Sequence, residues 1–139
     1  MVETRGLTHI ALRVRDVERS FRFYRDVFGV VEVYRGEGFI QAQTPGSWDV
    51  LVFESAAGDE QGSGAVSHFG FRLLRPEDID AAAAAVRAAG GTVTEQGEFV
   101  PGEPYVFFTD PDRNLVEIWY ELPTPADPVA VPDPRGGMA

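Results

Sequence analysis

A six-residue pattern occurs twice in this chain, and its recurrence limits the fold more than any other feature. His9-Ile10-Ala11-Leu12-Arg13-Val14-Arg15 and His68-Phe69-Gly70-Phe71-Arg72-Leu73-Leu74 both read histidine, apolar, small, apolar, arginine, apolar. Strict alternation of this kind marks a half-buried strand, so the repeat predicts equivalent strands heading two similar modules. A helix follows each strand. Asp16 is placed to cap the first, which sets Val17, Phe21, Tyr24 and Phe28 on one face and ends at Gly29, free to turn left-handed. The second starts at Pro76, runs through Ile79, Ala81 to Ala85 and Val86, and stops at Gly90-Gly91. Three short strand-like runs come next in each half: Val30 to Arg35, Phe39 to Gln43 and Val50 to Glu54, then Thr92 to Phe99, Tyr105 to Thr109 and Leu115 to Tyr120. Each half therefore reads βαβββ. The expected architecture is α+β, two tandem modules at about 5–56 and 65–122 in one domain spanning 1–122. Gly58 to Gly64 links the modules, and Asp110-Pro111-Asp112-Arg113-Asn114 carries the turn chemistry for the last hairpin.

Composition removes several classes of function. With 139 residues and 44% apolar side chains, the chain can bury a core of its own. Twelve basic residues against 22 acidic ones leave a net charge of −10, which repels a phosphate backbone and argues against nucleic-acid binding. The absence of cysteine excludes disulfides, thiolate nucleophiles and thiolate-bound metals together. Every basic residue is arginine, so no lysine is present for Schiff-base chemistry. No run approaches the ~18 apolar residues of a membrane span, and Met1-Val2-Glu3-Thr4 lacks a basic-then-apolar leader, so a cytoplasmic protein is expected. From Pro123 onward prolines stand at 123, 125, 128, 132 and 134, which makes residues 123–139 a disordered or extended tail.

Alternation also sorts side chains into faces. With Ile10, Leu12 and Val14 toward the first helix, His9, Ala11 and Arg13 look the other way. The same sorting leaves His68, Gly70 and Arg72 away from the second helix, and it puts Glu117 and Trp119 on that face from the last strand. Both histidines and one carboxylate are thereby expected in a common space. Two imidazoles and a carboxylate form a facial triad, which leaves coordination positions open for substrate. Ala11 and Gly70, beside the histidines, are small enough to leave room there.

The segments LTHIALRVRD at 7–16, SFRFYRDVFG at 20–29, VSHFGFR at 66–72 and FFTDPDRNLVEIWY at 107–120 resemble the vicinal oxygen chelate superfamily, the glyoxalase, bleomycin resistance and extradiol dioxygenase group. The resemblance covers residues 5–122. It implies paired βαβββ modules around a U-shaped cleft with one divalent metal held by His9, His68 and Glu117, and it implies a homodimer. Iron, manganese, zinc, nickel and cobalt all suit such ligands. Many members add a fourth ligand on the fourth strand. Matching Val50 to Phe53 with Val116 to Trp119 puts Leu51 there, which cannot ligate, and Asp49 is a weak substitute. A three-ligand set resembles the extradiol dioxygenases and the fosfomycin-resistance transferases more than the four-ligand lyases.

The implied activity is metal-dependent dioxygenase or lyase/isomerase chemistry on a small, anionic molecule with vicinal oxygens. Arg13 and Arg72 would pair its charge, Gln41 and Gln43 would hydrogen-bond it, Phe53 and Trp119 would form an apolar wall, and Tyr105 would serve as a proton donor or hydrogen-bond partner. The alternative is a metal-free protein that binds a drug or natural product, as the bleomycin-resistance branch does.

Overall fold

The computed structural model describes residue 7, residues 9–56, residue 66 and residues 68–123. The linker and the proline-rich tail lie outside these residues.

The first module comprises β1 (Ile10–Val14), α1 (Val17–Phe28), β2 (Val31–Gly36), β3 (Phe39–Gln43) and β4 (Leu51–Ser55). The second comprises β5 (Phe69–Arg72), a 3-10 turn (Pro76–Asp78), α2 (Ile79–Ala88), β6 (Thr92–Glu98), β7 (Pro104–Thr109) and β8 (Leu115–Trp119). Each module forms its own four-stranded sheet, ordered β1-β4-β3-β2 and β5-β8-β7-β6. In both, the first strand runs parallel to the last while the other pairings are antiparallel. A bulge interrupts β2 at Glu32/Tyr34 and β6 at Val93/Glu95, so the repeat extends to the irregularities of the outer strands. Among the described residues no helix is long and apolar enough to cross a membrane.

The caps of α1 follow the sequence. The Asp16 carboxylate accepts the Arg19 N–H at 3.0 Å, and Gly29 closes the helix at φ 70°, where any side chain would be strained. The buried stripe is displaced from the expected one. Ser20, Phe23 and Tyr24 are the buried residues, whereas Val17, Phe21 and Phe28 pack at the core's margin. A serine enters the core because the second module supplies its acceptor. Ser20 Oγ donates to Asp112 Oδ2 at 2.6 Å, and Asp112 also accepts the Arg15 N–H at 3.1 Å and Arg19 Nη2 at 2.9 Å. Two residues earlier in the same turn, Asp110 accepts the Tyr24 hydroxyl at 2.7 Å and braces its own loop through Asn114. The β7–β8 turn thus grips the first module's helix with two buried acids.

One core serves both modules. Leu12, Val14, Ala42, Leu51 and Phe53 from the first sheet join Val106, Phe108, Val116 and Ile118 from the second, with α1 between them. Tyr24 packs on Phe53 at 5.2 Å between ring centroids, and Phe28 stacks on Phe71 at 3.8 Å. The helix-side faces of the two sheets therefore look toward the same core, and their other faces look away from it.

Tyr24 carries a pH dependence. Burial, reinforced by the Asp110 charge and hydrogen bond, holds its hydroxyl well above the usual tyrosine value of 10.0. A group whose folded pKa is raised contributes stability that is complete below its unfolded pKa and is lost as pH rises beyond it. Stability is therefore expected to fall steeply above pH ~10, where only the unfolded chain ionises this phenol. Urea unfolding of Tyr24→Phe should show a shallower alkaline decline, and identical slopes for the two proteins would refute the assignment.

Candidate metal centre

On the second sheet the expected ligands come together. Gly70 pairs with Glu117 across the parallel β5–β8 ladder, and His68 immediately precedes β5. Glu117 is 8% exposed, and burial pushes its carboxyl up while neighbouring His68 pulls it down. The imidazole of His68 meets Phe107 edge-on at 5.3 Å. Gly70 makes this approach possible, because a Cβ there would sit 3.1 Å from the Glu117 carbonyl oxygen.

His9 precedes β1, and among the described residues no group of three or more histidine and acidic side chains is placed to hold a metal ion. Both sheets turn apolar residues onto α1 in one shared core.

The fourth-strand position is also corrected. Ala11 pairs with Val52 as Gly70 pairs with Glu117, so Val52 and not Leu51 is the counterpart of Glu117. Valine ligates no better than leucine. The same register turns Phe53 inward with Leu12, where it is fully buried, so it is a core residue and not a wall of the site. Asp49 is occupied in its loop, accepting the Thr44 N–H at 2.9 Å and hydroxyl at 2.8 Å.

Gln41 pairs with Val52 and so shares the face of Ala11 and Arg13, while Gln43 donates to the Ser47 carbonyl at 2.6 Å. Arg72 is paired with Glu121. Trp119 and Tyr105 lie opposite one another on β8 and β7, beside Glu117. The Tyr105 hydroxyl donates to Glu95 Oε1 at 2.7 Å, and this bond, with partial desolvation, raises its pKa. The ring leans over Gly97, toward the outer strand β6. Sequence reasoning missed Glu95 and the rest of this wall: Phe99 stacks on Tyr105 at 4.1 Å and meets Trp119 edge-on at 5.8 Å, with Phe107 continuing toward His68. The period-two spacing of Phe99, Tyr105, Phe107 and Trp119 from Gly97 and Glu117 was the available signal.

Residues 6–118 match the Glyoxalase/Bleomycin resistance protein/Dioxygenase superfamily. A manganese-dependent 2,3-dihydroxybiphenyl 1,2-dioxygenase from Geobacillus genomosp. 3 is 31% identical over 122 residues, which cover 86% of this chain and 38% of that protein. The chain thus spans little more than a third of that dioxygenase's length. A lactoylglutathione lyase from Haemophilus influenzae is 34% identical over 130 residues, covering 80% of this chain and 89% of the lyase. The fold is similar to that of the fosfomycin resistance protein FosX from Listeria monocytogenes complexed with Mn(II) and sulfate, with TM-score 0.70, 20% identity, and coverage of 86% of this chain and 93% of that one.

Proposed function

Because the chain belongs to the Glyoxalase/Bleomycin resistance protein/Dioxygenase superfamily, we propose that it is a divalent-metal-dependent enzyme acting on a small molecule with vicinal oxygens, at a site completed by two copies of the chain. The observation that carries this reading is the buried Glu117 beside His68, facing away from the shared core. A half-built ligand set on one sheet and a lone histidine at the equivalent position of the other form a whole only when a second copy brings its first sheet against this face. Strands β1 and β5, next to the histidines, are the sheet edges where such a pairing would start. His9 of one copy with His68 and Glu117 of the other would hold the ion, and the donor set fits iron, manganese, zinc, nickel or cobalt. The chemistry such an ion supplies is stabilisation of negative charge developing on two neighbouring oxygens.

The chain's own side chains would do the rest. Arg13 and Gln41 line the His9 face, where they would pair an anionic group and orient it by hydrogen bonds. Trp119 and Phe107 wall the other face against water and favour a flat or alkyl-bearing substrate over a phosphonate, for which no lysine is present. Tyr105, held by Glu95, would set the orientation of a polar substituent at that wall. The reading extends to dioxygenase or lyase/isomerase chemistry, and the identity of the bound metal selects between them.

Elemental analysis of the untagged protein is expected to find about one transition-metal ion per chain, lost in His9→Ala. Iron or manganese would direct assays to catechol ring cleavage with oxygen uptake, and zinc, nickel or cobalt to lyase or isomerase assays. Failure of every ion to bind on reconstitution would overturn the metal reading. The aromatic wall alone favours the second reading, a metal-free binder of flat natural products, and ligand binding undiminished by a chelator would establish it.

A further inference from the structure

The outer end of the second sheet carries an apolar shelf of Phe99, Val100 and Leu122, which the proposed chemistry leaves unused although it borders the Tyr105 and Trp119 wall. Phe99 and Val100 are 50% and 47% exposed, Leu122 is 42% exposed, and the Tyr105 and Trp119 rings support Phe99 from below. The hairpin turn beside the shelf is tightly built, with the Phe99 N–H donating to the Glu103 carbonyl and the Glu103 N–H to the Val100 carbonyl. The chain leaves the domain at the same place. After β8 it runs back along this turn, where the Leu122 N–H donates to Glu103 Oε1 at 3.2 Å and the Leu122 side chain reaches Gly102. The proline-rich segment begins directly after Leu122, and its residues 128–134 read Pro-Val-Ala-Val-Pro-Asp-Pro.

These facts meet in one chemistry. Proline-rich segments favour the polyproline II helix, which loses little entropy on docking and seats its rings and small apolar side chains on exposed aromatics. Residues 123–127 provide about 15 Å of extended chain, enough to turn back across rings whose centroids lie within 6 Å of one another. An aromatic shelf this exposed is a surface on which a soluble chain gains by covering it. We propose that residues 128–134 dock as a polyproline II segment on the Phe99, Tyr105 and Trp119 shelf of their own chain. This docking does not depend on a metal and is testable on the metal-free protein.

Trp48→Phe leaves Trp119 as the sole tryptophan and serves as the background for the test. Acrylamide quenching of Trp119 fluorescence is expected to rise about twofold when the chain is ended after Pro123, at every protein concentration. In the full-length chain, Pro128, Pro132 and Pro134 all changed to Gly should raise it part of the way. A second readout uses Arg135, just beyond the docked segment. Tryptic release of residues 136–139 should be about tenfold faster in Phe99→Ser than in the parent. Quenching unchanged by truncation overturns the proposal. So does quenching that falls with rising concentration equally in truncated and full chains, which would make a second copy the occupant.

Discussion

Mixing His9→Ala chains with Glu117→Gln chains and allowing them to re-associate is expected to restore about one quarter of wild-type metal occupancy, although each variant alone binds about 100-fold more weakly than wild type or not at all. The fraction follows from the proposed twofold arrangement. Random re-association makes about half of the dimers mixed, and in a mixed dimer one site receives both damaged faces while the other receives both intact ones. His9 from the Glu117→Gln copy then meets His68 and Glu117 from the His9→Ala copy. No restoration on mixing, with dimers shown to exchange, would mean that the three ligands do not act across copies. Mixing His68→Ala with Glu117→Gln is the internal control. Those residues share one sheet, so no combination rebuilds a site.

Asp112→Ala is expected to destabilise the fold by about 3 kcal/mol, lowering the melting temperature by roughly 10 °C. Asp112 is 2% exposed and accepts three bonds from α1 and the segment leading into it. Its removal strands the buried Ser20 hydroxyl and the Arg15 N–H, while Arg19, 41% exposed, recovers part of its loss from water. Ser20→Ala removes one partner only and should cost about 1 kcal/mol. A melting temperature for Asp112→Ala within ~2 °C of wild type would show that the turn does not hold the modules together. Because this grip sets how the two sheets sit on α1, the variant should also bind metal more weakly through a less uniform dimer.

Much of the fold was legible because the repeat encodes it. Alternation in 9–15 and 68–74 assigned β1 and β5 and sorted their faces correctly, and Asp16 and Gly29 bounded α1 within a residue. The failures share one cause. Val50 to Phe53 is apolar at every position, so its phase could not be read from alternation, and the match to β8 slipped by one residue. That slip placed Phe53 in the site instead of the core. The buried acids Asp110 and Asp112 read as turn chemistry alone, because a polar residue is placed inside only by partners distant in sequence.

What the sequence determined by itself is local: two βαβββ modules, and a chain with no cysteine or lysine to offer a thiol or an amine. Which faces meet was decided by tertiary structure alone. Two identical strand patterns are compatible with modules set side by side or back to back. The choice rests on long-range contacts, the stacking of Phe28 on Phe71 and the hold of Asp110 and Asp112 on α1, which turn both apolar faces toward one helix. That packing buries one core shared by both modules.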